Sequence, residues 1–164
     1  MIDDALLVQV DKLVGNTGKE REFEGQRPVR LRLGESRVDG PMQVSGRAVG
    51  TTGGVNTHFE ASATVDLVCN RCLTTWSEDL TVTGSHHFGV EPDEDGYAIV
   101  DGQIDVGGVA KDELALSLPV RPLCKEDCLG LCPTCGIDLN RESCGGHGDD
   151  SDSPFAALKD LFDS

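Results

Sequence analysis

Apolar and polar residues alternate along most of the first half of this chain. Leu6, Val8 and Val10 are interleaved with Leu7, Gln9 and Asp11, the period of two expected of a half-buried strand. The period returns at Val29-Arg30-Leu31-Arg32-Leu33, which predicts Val29, Leu31 and Leu33 inward and Arg30 and Arg32 outward. From Met42 to His87 the sequence is rich in Val and Thr, lacks helical periodicity, and carries turn residues at Gly40-Pro41 and Gly53-Gly54. Three or four antiparallel strands are predicted there, over about 42–51, 55–69 and 74–88. Cys69-Asn-Arg-Cys72 then falls at the tip of the last hairpin, with His58, His86 and His87 as ordinary strand residues.

The second half is less regular. Glu91-Pro-Asp-Glu-Asp-Gly96 reads as a solvated acidic loop without the ligand spacing of a calcium-binding loop, and Ile99 and Val100 suggest a short strand. A helix is predicted over about 107–117, ended by Pro119, and Pro119 and Pro122 make the approach to Cys124 extended. Gly145 to Ser153 reads as a flexible acidic linker. Beyond it Phe155, Leu158, Leu161 and Phe162 recur at helical spacing after Pro154, a nine-residue amphipathic helix that must dock to persist.

The cysteines add the chemistry. Cys124, Cys128, Cys132 and Cys135 fall within twelve residues, and Cys69 and Cys72 wait upstream. Two residues between cysteines let a tight turn aim both sulfurs at one cation, and two such turns complete a tetrahedral thiolate cage for zinc. Gly136, after Cys132-Pro-Thr-Cys135, can take the positive φ that closes such a turn. Cys144 and His147 complete eight candidate ligands. Loop closure favours Cys132 and Cys135 with Cys144 and His147, because only eight residues separate the pairs, leaving Cys69 and Cys72 to meet Cys124 and Cys128. A single ribbon-like site from Cys69, Cys72, Cys132 and Cys135 is the alternative. Trp76 is expected in the core or shielding the metal.

Composition sets the scale. One domain is expected of 164 residues, but seven aromatic residues and twenty glycines make its core thin, so metal cross-links would help it. The resulting architecture is α+β: mainly an antiparallel β-sheet or open barrel, with a zinc-knuckle end and one or two short helices. Residues 1–145 form the domain, with knuckles at 69–72 and 124–147, and 146–164 the linker and terminal helix. The N-terminal residues lack the basic segment and long apolar run of a secretory signal, so a soluble cytoplasmic protein is expected. In that reducing setting, seven cysteines at ligand spacing suit structural zinc, one or two ions, better than disulfides.

The net charge of −15 is unevenly placed: residues 1–60 carry eight Lys and Arg against nine Asp and Glu, and residues 61–164 six against twenty. Such a surface repels phosphates and suits a basic protein partner better than nucleic acid.

The chain resembles the YceD family, implicated in accumulation of large-subunit ribosomal RNA. The likeness rests on Cys69-Asn-Arg-Cys72-Leu73, on the run from Cys124 through Cys135-Gly136 to Leu139-Asn140, and on the closing segment Pro154 to Leu161. It implies a non-catalytic factor in large ribosomal subunit biogenesis with structural cysteines. Members that end the motif in Cys-x-Cys differ from this chain, where Gly-Gly-His147 follows Cys144. Together with the charge, the resemblance points to an assembly factor that holds a basic ribosomal protein or large-subunit precursor through acids around 91–105 and 149–163, with ribosomal RNA contacted indirectly. Two other classes compete. A Cys-x-x-Cys redox protein needs a low-pKa thiol at a helix N-terminus. A zinc-ribbon nucleic-acid module would contact RNA through Arg27, Arg30, Arg32, Arg37, Arg47 and Arg71. No hydrolase motif is present.

Overall fold

A computed structural model describes residues 6–92, 94 and 96–147. Four long strands carry the fold: β2 (Glu20–Leu33), β3 (Ser36–Gly50), β4 (Gly54–Val68) and β5 (Thr75–Gly89), preceded by the short β1 (Leu7–Gln9). Then come β6 (Tyr97–Ala98), β7 (Gln103–Asp105) and α1 (Val106–Ser117), the one helix among the described residues. The main sheet runs β2-β3-β4-β5-β6 as a curled half-barrel, antiparallel except for β5 with β6, and β1 pairs separately with β7.

Alternation decides which face closes. In β4, Val55, Thr57, Phe59, Ala61, Ala63, Val65 and Leu67 are buried while residues between them reach solvent or the rim. This inner face packs against α1, where Val106, Val109, Ala110 and Leu114 are buried. Asp105 starts the helix by accepting a hydrogen bond from the Gly108 amide at 2.9 Å, and Leu118, extended before Pro119, ends it. Gly84 is required by packing: a Cβ there would lie 2.4 Å from the Phe59 ring. The buried Ser36 hydroxyl donates to the Pro119 carbonyl at 3.1 Å, tying the β2–β3 turn to the start of the cysteine-bearing strap.

The predicted strands at 42–51, 55–69 and 74–88 correspond to β3, β4 and β5, and the predicted helix to α1. Four expectations need correction. Gly40-Pro41 is not a turn but lies inside β3, where the pairing with β4 slips between Arg37 and Gln43. Pro41 faces Pro28 of β2, two residues without amide donors set opposite each other. The strand expected at 29–33 is only the end of β2, and Leu33, expected inward, is exposed because the sheet runs out at the β2–β3 turn. The strand expected at Ile99-Val100 is instead Tyr97–Ala98, with Val100 in a lone bridge to Gln103. The 91–96 loop is described only in part, and most of the expected linker together with the terminal helix, from 148 onward, lies outside the described residues.

Candidate metal centres

The β4–β5 hairpin projects Cys69 and Cys72 from one end of the sheet. Its tip is a tight turn in which the Leu73 amide donates to the Cys69 carbonyl at 2.9 Å and Leu73 takes φ 61°. The strap after α1 folds beside it: the Asn70 amide donates to the Pro122 carbonyl at 2.9 Å and the Leu131 amide to the Arg71 carbonyl at 3.0 Å. A second turn repeats the geometry at Cys132 to Gly136. There the Gly136 amide donates to the Cys132 carbonyl at 2.9 Å with φ 73°, the conformation its glycine was expected to supply.

These folds sort the sulfurs into two groups. In the first, the donor atoms of Cys69, Cys72, Cys124 and Cys128 all lie within 4.8 Å of one another. The Cys69 and Cys128 sulfurs are 3.8 Å apart, and those of Cys72 and Cys124 3.5 Å. Four thiolates held at ~2.3 Å around a tetrahedral ion would be separated by ~3.8 Å, so the four sulfurs are close enough to hold a metal ion. Cys69, Cys72 and Cys128 are buried and only Cys124 is exposed. In the second group Cys132, Cys135 and His147 meet the same distance limit, with the Cys132 sulfur 3.2 Å from His147 Nε2. Cys132 is buried there, but Cys135 and His147 are exposed. Cys144, half-buried, lies outside this mutually close set. The fold thus pairs Cys69 and Cys72 with Cys124 and Cys128, and does not assemble the single ribbon-like set with Cys132 and Cys135.

The local field prepares thiolates. Burial opposes charge on Cys69, but the amides of Cys124, Cys72 and Arg71 aim at its sulfur and bring the thiol down to about 6. The Thr74 hydroxyl and amide lower Cys72. Although Cys124 is exposed, local desolvation, and then the neighbouring Cys72, Cys128 and Cys69 sulfurs, push its thiol up to about 12. In the second group the amides of Cys135 and Thr134 bring Cys132 down to about 6 against the cost of burial, with the Cys135 and Cys144 side chains contributing.

Sequence reasoning missed the outer partners that orient these donors. Asn140 donates through Nδ2 to the Cys128 sulfur at 3.4 Å, while its Oδ1 accepts from the Leu129 amide at 2.9 Å. Arg71 donates through Nη1 to the Cys128 carbonyl at 2.9 Å. Only the position of Asn140 at the end of the cysteine motif hinted at such a role. Trp76 packs against Cys69, Cys72 and Cys128 as well as the main core. His58, His86 and His87 lie on β4 and β5; His86 Nε2 meets the Glu113 carboxylate of α1 at 2.8 Å.

The competing sites look different in three dimensions. Neither Cys-x-x-Cys turn opens a helix. Three of the six arginines considered for RNA face carboxylates: Arg27 with Asp105 at 3.7 Å, Arg30 with Asp39 at 3.4 Å and Arg37 with Asp66 at 3.3 Å. Arg32 donates to the Gly34 carbonyl, and Arg71 donates to the Cys128 carbonyl beside the first cysteine group.

A mostly β fold, a curled sheet with cysteine turns gathered at one end close enough to hold metal ions, is the class of protein that the structure defines. Within it, this chain belongs to the YceD family: the family model described as large ribosomal RNA subunit accumulation protein YceD matches residues 57–162, from β4 through both cysteine groups. An uncharacterized protein of Mycobacterium leprae is 36% identical over 103 residues, which cover 57% of this chain and 46% of the relative. Uncharacterized proteins of Mycobacterium bovis and Mycobacterium tuberculosis are 35% identical over 103 residues, covering 57% of this chain and 49% of each. The match thus spans about half the length of these curated relatives. No solved structure matches the chain. No described helix is long and apolar enough to cross a membrane.

Proposed function

We propose that this chain is a non-catalytic, zinc-holding factor in the accumulation of large ribosomal subunit RNA, working in the cytoplasm by binding a basic ribosomal protein or a large-subunit precursor. The observation that carries the reading is family membership across the very segment that builds the two metal-ready clusters. Both would hold zinc: the first through Cys69, Cys72, Cys124 and Cys128, the second through Cys132, Cys135 and His147, with Cys144, outside that close set, moving in as fourth donor. Four thiolates around zinc leave no open position for a substrate, so the first centre contributes folding energy rather than turnover. The net charge of −15 favours a basic protein as the direct partner over RNA phosphates.

Sedimentation of the tagged protein in a gentle cell lysate tests this reading. Co-migration with large-subunit precursors or a free ribosomal protein is expected. Migration only as a small free protein, with normal ribosomal RNA after depletion, would count against it.

Metal removal should proceed in order. The first centre buries three of its four thiols, whereas the second exposes Cys135 and His147. On adding a chromogenic chelator to the zinc-loaded chain, one equivalent is expected at once and the second at least about tenfold more slowly, because the buried ligands must first open to solvent. Release of both in one phase would remove the distinction between the centres.

A further inference from the structure

One cleft is lined by cations and belongs to neither cysteine group. It encloses about 500 Å³ beside β2, β3 and α1, with Arg27, Pro28 and Arg30 of β2, Gly40 of β3 and Lys111 of α1 in its walls. Gly40 helps to keep it open, since a Cβ there would meet nothing within 4 Å. The chain has 14 Lys and Arg against 29 Asp and Glu, yet three cations and a single carboxylate, Asp39, line this cleft. That local reversal of sign is what an anion would recognise.

Arg27 is the least satisfied of the three cations. Its side chain is only 17% exposed, and its Nε and Nη1 are screened from solvent without a hydrogen-bond partner among the described residues. The Asp105 carboxylate stands 3.7 Å from Nη1, too far for a hydrogen bond, and its Oδ1 already accepts from the Gly108 amide at 2.9 Å. Guanidinium N–H groups withdrawn from water without acceptors are costly, and their presence in a cleft wall points to an acceptor supplied from outside. The other two cations are available as well. Arg30 meets Asp39 at 3.4 Å, but both side chains are largely exposed, and such a pair exchanges readily with a competing anion. Lys111 is in no ion pair among the described residues. We propose that Arg27, Arg30 and Lys111 form a binding site for a phosphate oxyanion, with the Arg27 guanidinium turning its unpartnered N–H groups onto the ligand oxygens. A phosphate group offers several strong acceptor oxygens to cations converging from two elements, whereas a carboxylate offers two oxygens and one charge. The phosphate belongs either to a free anion or to a nucleic-acid backbone. This site is independent of the ribosomal reading and of the cysteine groups.

The test records proton–nitrogen NMR spectra of the zinc-loaded full chain, including the arginine Nε–H signals, while sodium phosphate is added at an ionic strength held constant with chloride. A saturable shift of the Arg27 Nε–H signal and of amides around 27–30 and 108–111 is expected. Arg27 itself is left in place as the reporter, because replacing a mostly buried side chain risks the fold. Arg30→Gln combined with Lys111→Gln, neither of them a buried position, should weaken the apparent phosphate affinity at least about fivefold. Arg121→Gln, at the cysteine-bearing end, should leave it unchanged. A parallel titration with single-stranded oligothymidylate separates the two sources. The same signals moving, and moving back as phosphate competes, would place a nucleic-acid phosphodiester in the site; a response to phosphate alone would assign it to a free anion. Either supports the proposal. No saturable shift with phosphate, an undiminished affinity in the double variant, or the same shifts from chloride alone would overturn it.

Discussion

Cys69→Ser is expected to cut the zinc content from two ions to one and to lower the melting temperature by roughly 10 °C or more. Cys69 is wholly buried, accepts a hydrogen bond from the Arg71 amide at 3.4 Å and sits 3.8 Å from Cys128, so a hydroxyl in its place leaves the other three thiols without a complete cage. Structural zinc is worth about 10–16 kcal/mol to small metal-dependent domains, and even ~4 kcal/mol lost from a chain of this size moves the midpoint by that much. The loss is local in cause and global in effect. The same site joins the β4–β5 hairpin to the strap, and the Ser36–Pro119 hydrogen bond ties the strap back to the β2–β3 turn. Cys144→Ser should cost far less stability, because Cys144 is partly exposed and serves the second group, whose Cys135 and His147 are themselves exposed. Metal analysis beside thermal melts checks both variants. Two ions retained in Cys69→Ser would dismiss the first centre as a metal site.

Leu114→Ala probes the other half of the molecule and should cost about 2–5 kcal/mol with zinc content unchanged. Leu114 is fully buried where α1 crosses the inner face of the sheet, and the truncated side chain leaves a cavity that flanking strands cannot close without breaking their register. Leu116, two residues on, points away at 84% exposure, and its alanine variant should stay within about 0.5 kcal/mol of the parent. A fall in the urea midpoint at constant slope for Leu114→Ala alone is the expected result. Equal effects from both variants would mean that α1 does not pack as described.

The strands from 42 to 88 were legible because each has one buried face, which writes itself into the sequence as alternation. The turns around Cys69 and Cys132 were legible because ligand spacing admits few conformations. What stayed hidden had no local period. Glu20 to Gly25 form the first part of β2, yet their apolar content is a single Phe, and the strand exists because β3 pairs with it along its length. Gly40-Pro41 carries every local mark of a turn, but β2 supplies a partner for each residue there, so tertiary pairing overrode local preference. The grouping of Cys69 and Cys72 with Cys124 and Cys128 followed from loop closure within the shorter pair set; the alternative grouping was equally open to spacing alone. The hydrogen bonds of Asn140 and Arg71 to Cys128 and its carbonyl join residues brought together only by folding, and no pattern along the chain announces them.

The proline pair in β2 and β3 bears on how the protein behaves in a crowded cell. Opposed residues that both lack amide hydrogens cannot exchange ladder bonds, so Pro28 must stand at a non-bonded position of the β2–β3 ladder. The direction in which its amide would have pointed is therefore outward, along the border of the sheet where β2 has no further described neighbour. An incoming strand from a misfolded or nascent chain finds a missing donor halfway along fourteen residues, between a glutamate-rich stretch and an arginine-rich one. The β2 border is in this way a poor template for aggregation.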